Sequence, residues 1–292
     1  MLNALKIALI AGCAMAGFAS NGFAADLDQP IFVEQAPDYA PVEIGNGWYI
    51  RGDVGYAAIH KGGTHTYRTY DPISTTYADQ TFVTSGTSAD FAFGGGIGYQ
   101  FSDWLRFDGT IDAYRGKFTG TTASTGNCYP GLAAGDPGFN TSCATNDEQG
   151  YNAYQFMANA YVDLGTYVGL TPYVGAGAGY TVMAWDGLTN SLYCVPGAGG
   201  GATATCPATP IAPVTHAGTT DYRFTYSVMA GAAYQMSKNV KLDMGYRYSK
   251  IAAGTQFNFD QASITAGATG VQGRDAGYDR HEVRVGVRYS LW

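Results

Sequence analysis

No stretch beyond residue 25 runs for the roughly 18 apolar residues that a membrane-crossing helix needs, so a helical span is excluded. Charge is also thin. Only 13% of the 292 residues are Asp, Glu, Lys or Arg, and six are lysine, which fits poorly with the solvated faces of a helical soluble domain. The balance that exists is acidic, 16 Lys and Arg against 23 Asp and Glu, and a surface of that sign argues against nucleic acid as a partner. Histidine is scarce: His60, His65, His216 and His281. His281, beside Asp279 and Glu282 and with Ser263 upstream, is the only faint approach to a Ser-His-acid grouping and reads as a rim histidine. No enzyme and no cofactor is expected. The glycine runs at 94–98 and 175–179 lack the G-x-G-x-x-G spacing, the following helix and the acidic residue of a dinucleotide loop.

What is abundant is glycine (41), tyrosine (23) and phenylalanine (14), the composition of aromatic-rich strands with small residues at crowded positions. Beyond residue 45, eight segments of about ten residues alternate in polarity. Trp48, Ile50, Val54 and Tyr56 oppose Tyr49, Arg51 and Asp53; Leu105, Phe107 and Ile111 oppose Arg106, Asp108, Thr110 and Asp112. Tyr154, Phe156, Ala158 and Val162 oppose Gln155, Asn159 and Asp163. Val240, Leu242, Met244, Tyr246 and Tyr248 oppose Lys241, Asp243, Arg247 and Ser249; Val283, Val285, Val287, Tyr289 and Leu291 oppose Glu282, Arg284, Arg288 and Ser290. In 91–101, 172–182 and 222–235 the inward set is small, chiefly Gly94, Gly96, Gly98, Gly175, Gly177, Gly179, Ser227 and Gly231. One face of each segment suits hydrocarbon and the other a packed interior, which holds the mean hydropathy near zero, at -0.10.

The connections alternate as well. Long links at 59–87, 119–150, 186–219 and 251–277 are separated by short ones near Ser102–Asp103, Gly165–Gly169 and Ser237–Asn239. Tight turns on one end and long loops on the other are the pattern of an outer-membrane barrel. The expected fold is therefore all-β: an eight-stranded antiparallel up-and-down transmembrane β-barrel with four long extracellular loops, over residues 46–292, embedded as a monomer in outer-membrane lipid and lipopolysaccharide. Aromatic girdles are expected from Trp48, Trp104, Tyr167 and Trp292 at the periplasmic ends and from Tyr56, Tyr114, Tyr151, Trp185 and Tyr278 at the outer ends.

Residues 1–24 read as a signal peptide. Lys6 precedes an apolar stretch from Ile7 to Ser20, and Gly22-Phe23-Ala24 offers a small-x-small cleavage site. Ile10-Ala11-Gly12-Cys13 resembles a lipoprotein box, but the apolar run continues past Cys13. Cleavage removes one lysine and no acid, taking the net charge from -7 to -8. Residues 25–45, with five acids, three prolines and no Lys or Arg, read as an extended periplasmic leader. The remaining cysteines, Cys128, Cys143, Cys194 and Cys206, fall two by two in the second and third long links. Four cysteines allow three pairings, and the local one, Cys128–Cys143 with Cys194–Cys206, is expected in an oxidising compartment. Their spacing does not fit a zinc knuckle.

The inward charges number six of each sign: Arg51, Arg106, Lys241, Arg247, Arg284 and Arg288 against Asp53, Asp108, Asp112, Asp163, Asp243 and Glu282. An eight-stranded barrel is just wide enough for side chains, and unpaired charge inside it would be costly. A salt-bridge network filling the lumen is expected, with a thin water path for ions or very small solutes as the rival. In the first long link, His60, His65 and Tyr67, among Lys61, Arg68, Tyr70 and Tyr77, form a mixture able to contact heme or to serve as an adaptable recognition surface.

The segments Gly47-Trp48-Tyr49-Ile50-Arg51-Gly52-Asp53-Val54-Gly55-Tyr56, Thr171-Pro172-Tyr173-Val174-Gly175-Ala176-Gly177, Lys241-Leu242-Asp243-Met244-Gly245-Tyr246-Arg247-Tyr248 and Val283-Arg284-Val285-Gly286-Val287-Arg288-Tyr289 resemble the opacity/OmpA-like family of outer-membrane barrels, in particular the alphaproteobacterial surface antigens and hemin-binding proteins. The resemblance covers 46–292. It implies insertion by the barrel-assembly machinery and a role in envelope integrity and in presenting loops for adhesion or contact with a host surface; low-conductance porins and hemin binders also occur in that family. Barrels of this kind end in alternating hydrophobic residues leading to a terminal aromatic, and here Trp292 departs from the parity of Tyr289, Val287 and Val285.

Overall fold

Strand-forming segments of matched polarity must satisfy every backbone N–H and C=O internally if they are to lie in lipid, and a closed antiparallel ring does so without leaving an edge. A computed structural model describes residues 47–60, 65–124, 128–129, 135–136, 138–139, 141–197, 205–207 and 211–291. The signal peptide, the leader, Trp292 and the His60 side chain lie outside the described residues.

Among the described residues fifteen strands run in chain order: β1 (Gly47–His60), β2 (Thr66–Asp71), β3 (Thr76–Thr81), β4 (Thr84–Thr87), β5 (Asp90–Gln100), β6 (Leu105–Ser124), β7 (Ser142–Asp163), β8 (Leu170–Trp185), β9 (Leu188–Val195), β10 (Val214–His216), β11 (Thr220–Gln235), β12 (Val240–Ile251), β13 (Gly254–Asn258), β14 (Val271–Asp275) and β15 (Tyr278–Ser290). Eight of them close a ring, β1-β5-β6-β7-β8-β11-β12-β15 and back to β1, each antiparallel to its neighbours.

The two faces follow the sequence alternation. Ile50, Val54, Phe91, Phe93, Ile111, Phe224, Val283 and Leu291 stand outward and exposed, while Tyr49, Asp53, Arg106, Asp112, Asp243 and Arg288 are buried inside. The turn after β7 is set by local geometry. Tyr167 and Leu170 face each other across Val168 and Gly169, both at positive φ, 49° and 79°, the twist a two-residue hairpin turn requires. Val168 is β-branched and adopts this conformation at a cost.

The ring continues well above the membrane. β6 and β7 stay paired from Leu105↔Val162 to Ser124↔Cys143, a hairpin roughly 65 Å long at about 3.3 Å per residue, whereas about ten residues suffice to cross. The long links are themselves built. β13-β14-β2-β3 form a separate four-stranded sheet, β4 extends β6, and β9 with β10 extends β7. A five-residue helix α1 (Gln261–Thr265) is capped by Asp260, whose carboxylate accepts from the Ala262 and Ser263 amides at 2.9 and 3.0 Å.

This extracellular cap has its own apolar core. Phe82, Phe118, Leu188, Met183, Ile251 and Phe257 pack with Tyr114, Tyr151, Trp185 and Tyr278 over the outer mouth of the ring. The last four were expected as a lipid-facing girdle, and that expectation is corrected: each is 2–5% exposed. Each carries the inward parity of its strand, and because the strands continue past the bilayer without a bulge, the side chains meet under the cap. Tyr56, Trp48, Trp104 and Tyr167 stay outward, between 50 and 82% exposed.

Candidate functional site

The inward face is a stack of ion pairs. Near the short turns, the Arg106 Nε donates to Asp163 at 3.1 Å, and its guanidinium lies 3.9 Å from the Tyr161 ring centre and 4.7 Å from that of Tyr173. Arg288 makes a two-pronged contact with Asp243, at 3.1 and 2.8 Å. Midway, Arg51 bridges Asp53 and Asp108, both at 2.7 Å. Asp112 accepts from Arg247 at 2.7 Å and from Arg284 at 2.5 Å, and Arg284 also contacts Glu282 at 3.1 Å. Eleven of the twelve charged lumen residues anticipated from parity are thus joined to one another. Lys241 is the exception. It lines a cavity of about 230 Å3 at the short-turn mouth with Lys238 and Arg288 and makes no ion pair among the described residues.

A further tier near the cap was not anticipated. Arg280 donates to Asp90 at 2.6 Å and approaches Glu282 at 3.0 Å. Arg223 joins Asp275 and Asp221, each at 2.8 Å. The signal was available, since Arg280 shares the parity of Glu282 and Arg284, and Arg223 that of Ser227. Both sit at strand ends beside the long links, where the alternation gives way to loop-like sequence.

Small residues make room for this packing. A Cβ built at Gly94 would collide with the Asp112 carboxylate and approach Arg284 Nη2 at 3.0 Å, and one at Gly98 would meet the Tyr49 ring. A mid-lumen cavity lined by Arg51, Asp53, Tyr173, Arg247 and Arg284 among others is about 20 Å3, room for about one water.

The cap places the remaining candidates. His65 was expected on a surface able to contact heme, and this is corrected: it is 4% exposed, its Nδ1 lies 3.0 Å from Gln256 Oε1, and its ring centre is 4.5 Å from that of Phe118. Burial holds this imidazole below its ordinary value near 6.5. Tyr67 is half-buried, 5.1 Å from Phe82, and burial raises its phenol. Neither side chain is offered outward as a heme ligand. Both are drawn inward because β2 pairs with β14 and lays its inner face on Phe82 and Phe257.

The disulfides are Cys128–Cys143 and Cys194–Cys206, with Cα separations of 4.7 and 5.7 Å. Cys143 and Cys194 face each other across β7 and β9, so the two crosslinks lie side by side, each closing a loop within its own long link.

A closed eight-stranded ring with an apolar outer wall, a charged filled interior and a folded outer cap defines an outer-membrane barrel. The chain belongs to the outer membrane protein beta-barrel domain family, whose pattern matches residues 32–290. It is 33% identical over 298 residues to an uncharacterized protein of Brucella suis biovar 1, covering 96% of each chain. It is 27% identical over 207 residues to the outer membrane protein PagN of Salmonella typhimurium, covering 69% of this chain and 73% of that one. Among solved structures it is similar to the outer membrane protein OprG from Pseudomonas aeruginosa, at 14% identity and a TM-score of 0.45, covering 85% of this chain and 97% of that one.

Proposed function

We propose that the protein is a structural barrel that strengthens the outer membrane and carries a rigid extracellular cap for adhesion or host contact. The observation that carries this reading is the cap itself: four long links that fold together around a shared core, crosslinked twice, on a ring whose middle is occupied by paired charges. A recognition surface gains from such preorganisation, because little ordering is left to be done on binding. A low-conductance pore is the competing reading, and it needs a continuous water path through the Asp112 cluster. The test of the adhesive role is attachment. Cells of a non-adherent Gram-negative host displaying the full chain should attach to cultured epithelial cells several-fold more than cells displaying an equal amount of a variant with 66–81 replaced by a short turn. Equal attachment of the two would refute the adhesive reading.

A further inference from the structure

On the outer side of the cap, between the β7-β9-β10 ribbon and the β13-β14-β2 sheet, lies a cavity of about 230 Å3. Its apolar wall is made by Tyr67, Phe82, Phe257 and Leu188, the three rings packed edge to face with centre separations of 5.1 and 6.5 Å. Its polar wall carries Asp147, Asp260 and His216, and among the described residues no lysine or arginine lines it.

Asp147 is 1% exposed. Its carboxylate accepts from Thr145 Oγ1 at 2.7 Å and from Asn190 Nδ2 at 2.6 Å. Asp260 accepts from two helix amides and the Ser263 hydroxyl, at 2.6 Å for the latter. Neither carboxylate makes an ion pair with Lys or Arg among the described residues, unlike the paired carboxylates of the lumen. A carboxylate this deeply buried normally has a counter-charge. His216 does not supply a full one, because burial holds its imidazole below the ordinary value near 6.5. That residue is 8% exposed and its side chain interacts with that of Gln272 on the same wall, while neither His216 Nδ1 nor Gln272 Oε1 makes a close hydrogen bond. Gln272 already donates through its Nε2 to the Arg68 carbonyl at 3.1 Å, so what it has left to offer is an acceptor. The cavity therefore presents anionic and accepting groups on one side and aromatic faces on the other.

We propose that this cavity is a binding site for a small organic cation, an ammonium group on a compact apolar or aromatic body. The ammonium would sit against Asp147 and Asp260, beside His216 and Gln272. The apolar body would occupy the aromatic wall, where ring faces also favour a cation. Size fits the assignment: the volume suits a ligand of about ten heavy atoms, at the small end of protein sites. An anion of the same shape meets two carboxylates and is excluded.

The experiment uses the full chain in detergent micelles with 2-phenylethylamine, charged at pH 7.5, titrated by isothermal calorimetry. Its neutral isostere 2-phenylethanol and the anion 3-phenylpropionate are run beside it. Saturable binding of the amine is expected, at least tenfold tighter than either comparison. Asp147→Asn should weaken the amine at least tenfold. Asp260→Asn retains a helix-capping side chain and should weaken it by a smaller factor. Both variants are checked for an unchanged strand signal in circular dichroism and unchanged heat-dependent gel mobility. If Asp147→Asn fails these checks, Asp260→Asn alone decides. Equal affinity for amine and alcohol, no saturable binding of the amine at millimolar concentration, or full affinity in folded Asp260→Asn and Asp147→Asn would overturn the proposal.

Discussion

Asp112→Asn is the perturbation on which the filled-lumen account turns. The carboxylate is 2% exposed and accepts from Arg247 at 2.7 Å and Arg284 at 2.5 Å. Arg284 keeps Glu282 at 3.1 Å and Asp53 at 3.7 Å when Asp112 is neutralised. Arg247 has no other ion-pair partner among the described residues, and its Nε is already without an acceptor. The substitution thus leaves a buried guanidinium uncompensated, for which about 3–5 kcal/mol is the usual cost. The exposed pair Lys117–Glu148, whose side chains are 55 and 58% accessible, supplies the control; Lys117→Gln should cost about 0–1 kcal/mol. Urea unfolding in lipid vesicles, followed by tryptophan fluorescence and gel mobility, reads both. Adding Arg247→Met to Asp112→Asn should recover part of the loss, because the orphaned charge goes with it, giving a coupling of about 1 kcal/mol or more. A loss below about 1 kcal/mol for Asp112→Asn, with no coupling to Arg247→Met, would refute the reasoning.

Three other outcomes follow from the same geometry. Replacing Cys128 and Cys143 by serine opens a crosslink that spans 15 residues, worth roughly 3 kcal/mol; limited proteolysis should nick the cap while the barrel keeps its heat-dependent mobility, and an unchanged digest would contradict this. Gly94→Ala puts a methyl group into the Asp112 carboxylate and should destabilise by about 1–3 kcal/mol, as overpacking does, in the same urea assay; a neutral result would mean that the lumen yields. Histidine carbon resonances should show His65 and His216 titrating below 6.5, since burial favours the neutral ring. The fold holds the uncharged form, so its stabilisation is complete above the unfolded value and is lost as pH falls from about 6.5 toward the folded midpoints. Asp147 and Asp275, whose carboxyls burial pushes up, oppose the loss at lower pH. Hydrogen exchange in the cap at pH 7.5 and 5.5 measures the balance in that window, and greater protection at 5.5 would contradict the histidine assignment.

The ring was legible because a side-chain period of two assigns every residue of a strand once one is assigned. Ile111 and Asp112, or Val283 and Arg284, declare opposite environments side by side, and the structure exposes one of each pair and buries the other. The short turns were legible from glycine and serine between such runs. The cap was not. β2 and β3 carry nearly unbroken polarity, TYRTYD and TYADQT, so alternation gives no face, and β14, which pairs with β2, lies some 200 residues away in sequence, as Arg68 bonded to the Val271 carbonyl illustrates. A pairing at that separation is a tertiary event that local pattern does not encode. His65 illustrates the consequence. Read in isolation, a histidine among tyrosines in a long link suggests a ligand; in place, it is a hydrogen-bonded member of an aromatic core. Tyr114, Tyr151, Trp185 and Tyr278 were misplaced for a different reason. Their parity points inward, and in the structure it outweighs the general preference of aromatics for the membrane interface.

The central claim is that the lumen is closed by its own charges. Single-channel recording in planar bilayers tests it most directly, comparing the native chain with a variant carrying Asp112→Ser, Arg247→Ser and Arg284→Ser, which removes Asp112 together with the two arginines paired to it. The account predicts no stable current from the native chain and reproducible small channels from the variant. Steady, reproducible channels from the native chain would contradict it.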